Sequence, residues 1–443
     1  MYGDLTKGSI PKTMISFSIP FLIACFLQSF YGLADLFIIG RFNSADVITA
    51  VSTGSQVLHM LTVIIIGLAT GTMIMTSRQV GQGRQDKVGV IIAQSITIFA
   101  VMAVISVIIL VLSTNFFVTI LSVPIESVQS AKDYMIVCYI GLPFVIFYNL
   151  IASIFRGLGD TRHPMYIVML TGVINVIGDY VFVGVYHMGA FGAALATSLS
   201  QLMSVVLGIL LLRHLKLFTL KKSDFKIERK IIHHIFSIGV PIACQEGFIQ
   251  VSFMVITAIA NSRGVEIAAA VGIVEKIIGF FFLVPSAMLS TVSAVAAQNA
   301  GAQLHDRAKE SLKFGIEVIV INGFIIWLTC QFFAPVIVSI FIKDNPVVIN
   351  YGAQYLRAYT IDTMLAGIHF CFSGFFSAYQ QSIYSFIHNV LSVILVRIPL
   401  CFVASYVFPH NLYPMGLAAP LGSILSIGIC IVFYKKNLNK WLQ

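Results

Sequence analysis

Twelve apolar stretches, each long enough to cross a lipid bilayer, dominate the chain. They restrict it to folds in which every backbone polar group is satisfied inside a helix. They run at about 14–39, 47–76, 88–113, 134–155, 164–186 and 190–212, and again at about 232–260, 267–297, 311–341, 352–378, 384–407 and 415–434. Several exceed the roughly 20 residues a bilayer needs and are expected to tilt or to project beyond it. Only 10% of the 443 residues are charged, against about 25% in a soluble domain. The first apolar run is too long for a leader and lacks a small-residue cleavage signature, so it reads as a span. The expected fold class is an all-α integral membrane protein.

The basic residues set the orientation. The net charge of +9 is not a nucleic-acid signature, because the basic residues fall in short loops between apolar runs. The longest polar stretch, RHLKLFTLKKSDFKIERK (213–230), carries seven Lys/Arg. With that stretch placed in the cytoplasm, the cytoplasmic side carries 20 Lys/Arg and the opposite side 5. Both termini are then cytoplasmic. The expected location is the plasma membrane, specifically a bacterial inner membrane, with membrane lipids as neighbours, no nucleic-acid partner and a monomeric chain. The seven cysteines lie singly in apolar runs with no metal spacing, and read as small core residues.

The two sets of six spans resemble each other. VGQGRQDKV (80–88) aligns with AGAQLHDRA (300–308) at an offset of 220, pairing Gly81 with Gly301, Asp86 with Asp306 and Lys87 with Arg307. An offset of 221 brings Pro20 onto Pro241. Each half holds an even number of spans, so the repeat is parallel. The expected architecture is two six-helix lobes related by a pseudo-two-fold axis along the membrane normal, as in alternating-access transporters. Residues 1–212 form the first lobe, 213–230 a basic cytoplasmic linker and 231–443 the second lobe.

Polar side chains inside apolar spans are expensive and mark function by default. Thr171, Asn175 and Asp179 follow at i, i+4 and i+8, so they share one helix face. Asp35 shares a face with Gln28 and Tyr31 in the first span. Two carboxylates facing one cavity favour a cation between them: one Na⁺ held by oxygen ligands, or one exchangeable proton. The residues do not choose between the two. In the second half, Glu246 with Gln245 and Gln250, and Asp362 with His369, read as a negative cavity wall for cationic cargo or as structural hydrogen-bonding groups. Asn149 joins Gln28 among the cavity candidates of the first half. Glu275, Lys276 and Arg397 read as an ion-pairing group, Lys313 and Glu317 as a local i, i+4 pair. Asp160, Arg156, Arg162 and Asp86 read as caps and loop formers.

Taken together, FLQSFYGLADLFIIGRF (26–42), RGLGDTRHP (156–164), NVIGDY (175–180) and the twin VGQG and NAGA turns resemble the multidrug and toxic compound extrusion (MATE) family, toward its DinF-type branch. The resemblance runs through the whole chain in order. It implies export of cationic, amphipathic organic compounds driven by an inward H⁺ or Na⁺ gradient. It also implies a coupling-cation site made of Asp35, Tyr31, Asn175, Asp179 and Thr197, with Asp35, Asn175, Asp179 and Thr197 as ligands if the ion is Na⁺. The NorM-type branch adds an acid pair on spans seven and ten; Glu246 and Asp362 lie on those spans about one turn earlier than that pattern.

Enzyme signatures are lacking: the chain has no HExxH, no GxSxG and no Walker A loop, and no strand precedes the RGLGD turn. The expectation is a non-enzyme with no cofactor beyond its coupling ion, acting on small-molecule cationic substrates. The alternative is a flippase for a lipid-linked saccharide precursor. A flippase has a pyrophosphate to hold and needs several mid-membrane Arg or Lys, where this chain offers Lys276 and Arg397 against four acids.

Overall fold

The computed structural model describes residues 3–342 and 345–441. Twelve of its helices are long and apolar enough to span a bilayer, as the sequence predicts. We label them α1 (Ile10–Phe42), α2 (Ala45–Gly81), α3 (Gln85–Leu112), α4 (Ile125–Gly157), α5 (Arg162–Val185), α6 (Gly189–Leu215), α7 (Arg229–Asn261), α8 (Val265–Gly301), α9 (His305–Ser339), α10 (Pro346–Ala378), α11 (Ser382–Val407) and α12 (Tyr413–Asn437). A short helix, Thr114–Ile120, joins α3 to α4. At 1.5 Å per residue, the 37 residues of α2 extend about 55 Å. That exceeds the roughly 30 Å hydrocarbon thickness, so α2 tilts or protrudes.

Packing divides the chain into two compact units. Among the described residues, the first holds Gly3, Asp4 and Ile19–Gly239; the second holds Leu5–Ser18 and those from Val240 onward. Of the three points where the chain passes between units, two fall within a helix, α1 and α7, each next to a proline, Pro20 and Pro241. Proline removes a helical hydrogen bond and crowds the preceding turn, so these two boundaries coincide with a weakened point of the helix.

Within each unit the central helix is the fourth of its set. In the most apolar window, 67% of α4 and 78% of α10 is buried, against 22% of α3 and 17% of α9. The outer helices present large apolar side chains to lipid: Val104, Ile108 and Leu112 of α3 are 61%, 54% and 78% exposed. The first core gathers Tyr139, Leu142, Ile146 and Phe155 of α4 with Ile92 and Phe99 of α3. The second gathers Tyr355, Leu356 and Tyr359 of α10 with Val271, Val274 and Val338.

The repeat reaches down to individual backbone bonds. After α2, Gly83 N–H donates to Val80 O and Arg84 N–H to Gln79 O; after α8, Gln303 N–H donates to Ala300 O and Leu304 N–H to Asn299 O. After α4, Gly159 N–H donates to Arg156 O and Asp160 N–H to Phe155 O; after α10, Gln380 N–H donates to Ser377 O and Gln381 N–H to Phe376 O. All four turns need a left-handed residue, at φ +70°, +61°, +83° and +62° for Gly83, Gln303, Gly159 and Gln380.

The basic stretch between the halves is clamped to the first unit. Buried Gln94 of α3 donates through Nε2 to the carbonyls of Asp224 (2.7 Å) and Lys226 (2.9 Å) and accepts from Glu228 N–H (3.2 Å). One apolar-helix glutamine thus supplies three bonds to a polar loop that has no ladder of its own.

Candidate functional site: a buried acid pair

Two close helix approaches build the site in the first unit. At Gly172 an added Cβ would stand 3.2 Å from the Tyr31 ring, so α5 lies directly against α1 there. At Gly178 it would meet Ala196 Cβ at 3.1 Å, which brings α5 against α6. Asn175 and Asp179 sit between and beside these crossings, with Asp35 one turn beyond Tyr31 and Thr197 one residue beyond Ala196. Immediately after Asp179, residues Tyr180–Val185 continue as a π-helical segment. Such a widened turn is a frequent companion of functional positions.

The Asp35 and Asp179 carboxylates come within hydrogen-bonding reach of each other. Neither brings a proton as a carboxylate, and the surroundings supply none: Asp35 Oδ1 and both oxygens of Asp179 are buried without a protein donor. Both amide atoms of Asn175 are buried and unpartnered as well. Asp179 is fully inaccessible and Asn175 is 2% exposed. The cluster therefore places two carboxylates within reach of each other, with the buried amide of Asn175 one helical turn before Asp179. Desolvated oxygens in that arrangement need a cation or a shared proton. Oxygen donors alone suit Na⁺ as well as H⁺.

The remaining predicted residues divide clearly. Tyr31 faces Asp35 and lies near Tyr148. Thr197 is half-buried, and its carbonyl accepts from Ser200 Oγ at 2.8 Å. Thr171 spends its hydroxyl on Ile167 O (2.9 Å), and Asn149 its amide on Val145 O (2.8 Å), both within their own helices. Gln28 is half-buried on α1. Sequence reasoning passed over Tyr134, a buried α4 residue in electrostatic contact with both acids. It stands in an apolar run, YMIV, where nothing distinguishes it from a packing aromatic.

In the second unit, Glu246 and Gln250 are half-buried on α7. Asp362 and His369 are 2% and 4% exposed, deep in α10. Ser423 of α12 donates to Asp362 Oδ1 at 2.5 Å and lies 3.4 Å from His369 Nε2. Arg397 ends a second π-helical segment, Val393–Arg397 of α11, and donates to Tyr359 Oη at 2.5 Å with its guanidinium 4.8 Å from the Phe253 ring. Its electrostatic partners are Tyr359, Asp362, Tyr355 and Glu275, and Glu275 also accepts from Thr257 at 3.1 Å. Lys276 is exposed and stands apart from this group. The fifth helix of each set thus carries a π-segment with a charged residue at its edge, an acid in the first unit and a base in the second.

Twelve spanning helices in a repeated set of six, with ionisable groups buried in each set, define a polytopic membrane transporter. Residues 20–181 and 241–403 each match the MatE family model, two passes that start 221 residues apart. The chain belongs to the MATE family of small-molecule transporters and is not an enzyme. It is similar to the probable multidrug resistance protein YoeA of Bacillus subtilis, with 22% identity across 99% of this chain and 97% of that one. It is also similar to an FAD transporter of Shewanella oneidensis, with 25% identity across 98% of this chain and 96% of that one. A crystal structure of a MATE in complex with MaL6 superposes with a TM-score of 0.92 at 18% identity, over 99% of this chain and 98% of that one.

Proposed function

We propose that the chain is a secondary active antiporter that exports cationic, amphipathic organic compounds in exchange for H⁺ or Na⁺ by alternating access. The carrying observation is the Asp35–Asp179 pair with Asn175, whose buried oxygens have no protein donor. A cation bound there from outside and released inside supplies the driving force, and Tyr31 and Thr197 complete the site. Without a nucleotide-binding loop in the sequence, an ion gradient is the remaining energy source. Glu246 and Gln250, half-buried on α7, face the cargo. The protein works as a monomer in the plasma membrane of a bacterial cell, its termini cytoplasmic and its outer helices in lipid.

Cargo charge is where the relatives divide: one is named for multidrug resistance, another for FAD, an anionic dinucleotide. Several buried carboxylates favour cations here. Arg397 is committed to Tyr359 and Phe253 with acids around it, which is a poor cradle for the pyrophosphate of a lipid-linked saccharide. Ethidium efflux from energised cells, with and without a Na⁺ gradient, tests the reading. Expression of the chain should speed efflux, and collapsing the coupling gradient should abolish the gain. Efflux that survives collapse of both the H⁺ and Na⁺ gradients would exclude antiport.

A further inference from the structure

We propose that the second unit holds a proton relay of its own: Asp362, Ser423, His369, His388 and Ser373 pass a proton between the middle of α10 and the turn joining α10 to α11. Asp362 binds Ser423 Oγ at 2.5 Å, and Ser423 Oγ lies 3.4 Å from His369 Nε2. The His369 and His388 rings meet edge-on with centroids 5.2 Å apart. His388 Nε2 lies 2.9 Å from Ser373 Oγ. From there buried serines continue toward the turn: Ser385 Oγ donates to Ser373 O at 3.2 Å, and Ser377 and Ser382 are 2% and 0% exposed.

The chemistry of this track is that of a relay rather than a pocket. Hydroxyl and imidazole groups each donate and accept, so a proton entering at one atom leaves from another. The proton leaves Asp362 for the Ser423 hydroxyl, which gives its own proton to His369 Nε2; carboxylic acid plus imidazole becomes carboxylate plus imidazolium, with charge conserved. The Nδ1 atoms of both histidines are buried and unpartnered, leaving each ring a second site to pass the charge on. The charged and titratable groups in electrostatic contact with the track are Arg397 of α11 and Tyr359 of α10, with Glu275 of α8 reached through Arg397.

A packing role alone is a poor account of so many buried polar groups. Satisfying a carboxylate and two imidazoles within a membrane span costs more than filling the space with apolar residues. Nor is the track inherited from the repeat: at the offset of 221 that superposes the α4 and α10 turns, Asp362 falls on Gly141, His369 on Tyr148 and His388 on Ile167.

The inference rests on the antiport reading for its purpose, so its test uses no cargo. Purified protein in detergent is stepped from mildly alkaline to mildly acidic pH and followed by stopped-flow difference infrared spectroscopy. The carboxylic-acid band lost in Asp362→Asn identifies Asp362. In His369→Gln and His388→Gln, which keep a hydrogen-bonding side chain but cannot relay a proton, that band should grow more slowly by about tenfold or more. If a glutamine variant fails to fold, Ser373→Ala breaks the same path and should slow it likewise. An Asp362 band that develops at the wild-type rate in these variants, or no Asp362 band at all, overturns the relay. A chain that exports no drug would still show the effect if the relay exists.

Discussion

At the scale of single residues, the acid pair is a conflict the fold maintains. Asp35 Oδ1 and both Asp179 oxygens are buried with no protein donor, so two adjacent carboxylates left charged there would repel each other. Asp179→Asn supplies the missing N–H₂ at nearly constant volume. It should raise the melting temperature of the detergent-solubilised protein by about 2 °C or more, read by thermal shift, while gradient-driven efflux disappears. A fall in melting temperature would mean that the pair is not in conflict. Asp35, Asn175 and Asp179 were legible in the sequence because a polar side chain in an apolar span has few reasons to be there. Tyr134, His388 and Ser423 were not. Each is an ordinary residue of its own helix, and only packing across three helices brings Ser423 to Asp362 and His388 to His369.

At the scale of the element, the turns decide what substitution costs. Gly83 and Gly159 both take left-handed φ, so alanine at either pays about 1 kcal/mol in backbone strain. At Gly83 nothing lies within 4 Å of the added carbon, whereas at Gly159 the Gly3 carbonyl oxygen would be 2.1 Å away. Gly159→Ala should therefore destabilise the protein well beyond Gly83→Ala, as judged by chemical or thermal unfolding of the two side by side. Equal losses would show that the N-terminal segment does not pack on that turn. The twin turns were legible because Gly81, Asp86 and Lys87 match Gly301, Asp306 and Arg307, but the α4 and α10 turns were not paired, because Gly159 is replaced by Gln380. The π-segments were invisible for a similar reason. In α11 the missing N–H of Pro399 leaves the Leu395 carbonyl without its i+4 donor, which fits a widened turn just before it. In α5 no comparable signal precedes Asp179.

At the scale of the molecule, the repeat supplies the scaffold twice, while the buried groups it carries differ between the units. The acid pair stands in the first unit; in the second, Asp362 and Glu275 accept from Ser423 and Thr257 and lie near Arg397. The orientation rests on the distribution of basic residues. In a background without native cysteines, Ser223→Cys in the exposed linker should react with an impermeant reagent only from the cytoplasmic side. Val265→Cys, where the native side chain is 85% exposed, should react only from outside. Labelling of both from one face would break the topology. The division of labour is tested most directly in proteoliposomes carrying an imposed H⁺ or Na⁺ gradient and loaded with compounds of differing charge. Asp35→Asn should lose gradient-driven transport of every compound, because a failure of coupling is blind to cargo, while Glu246→Gln should lose cationic compounds and spare neutral ones. Retention of gradient-driven transport by Asp35→Asn would contradict the assignment of the coupling site to the first unit.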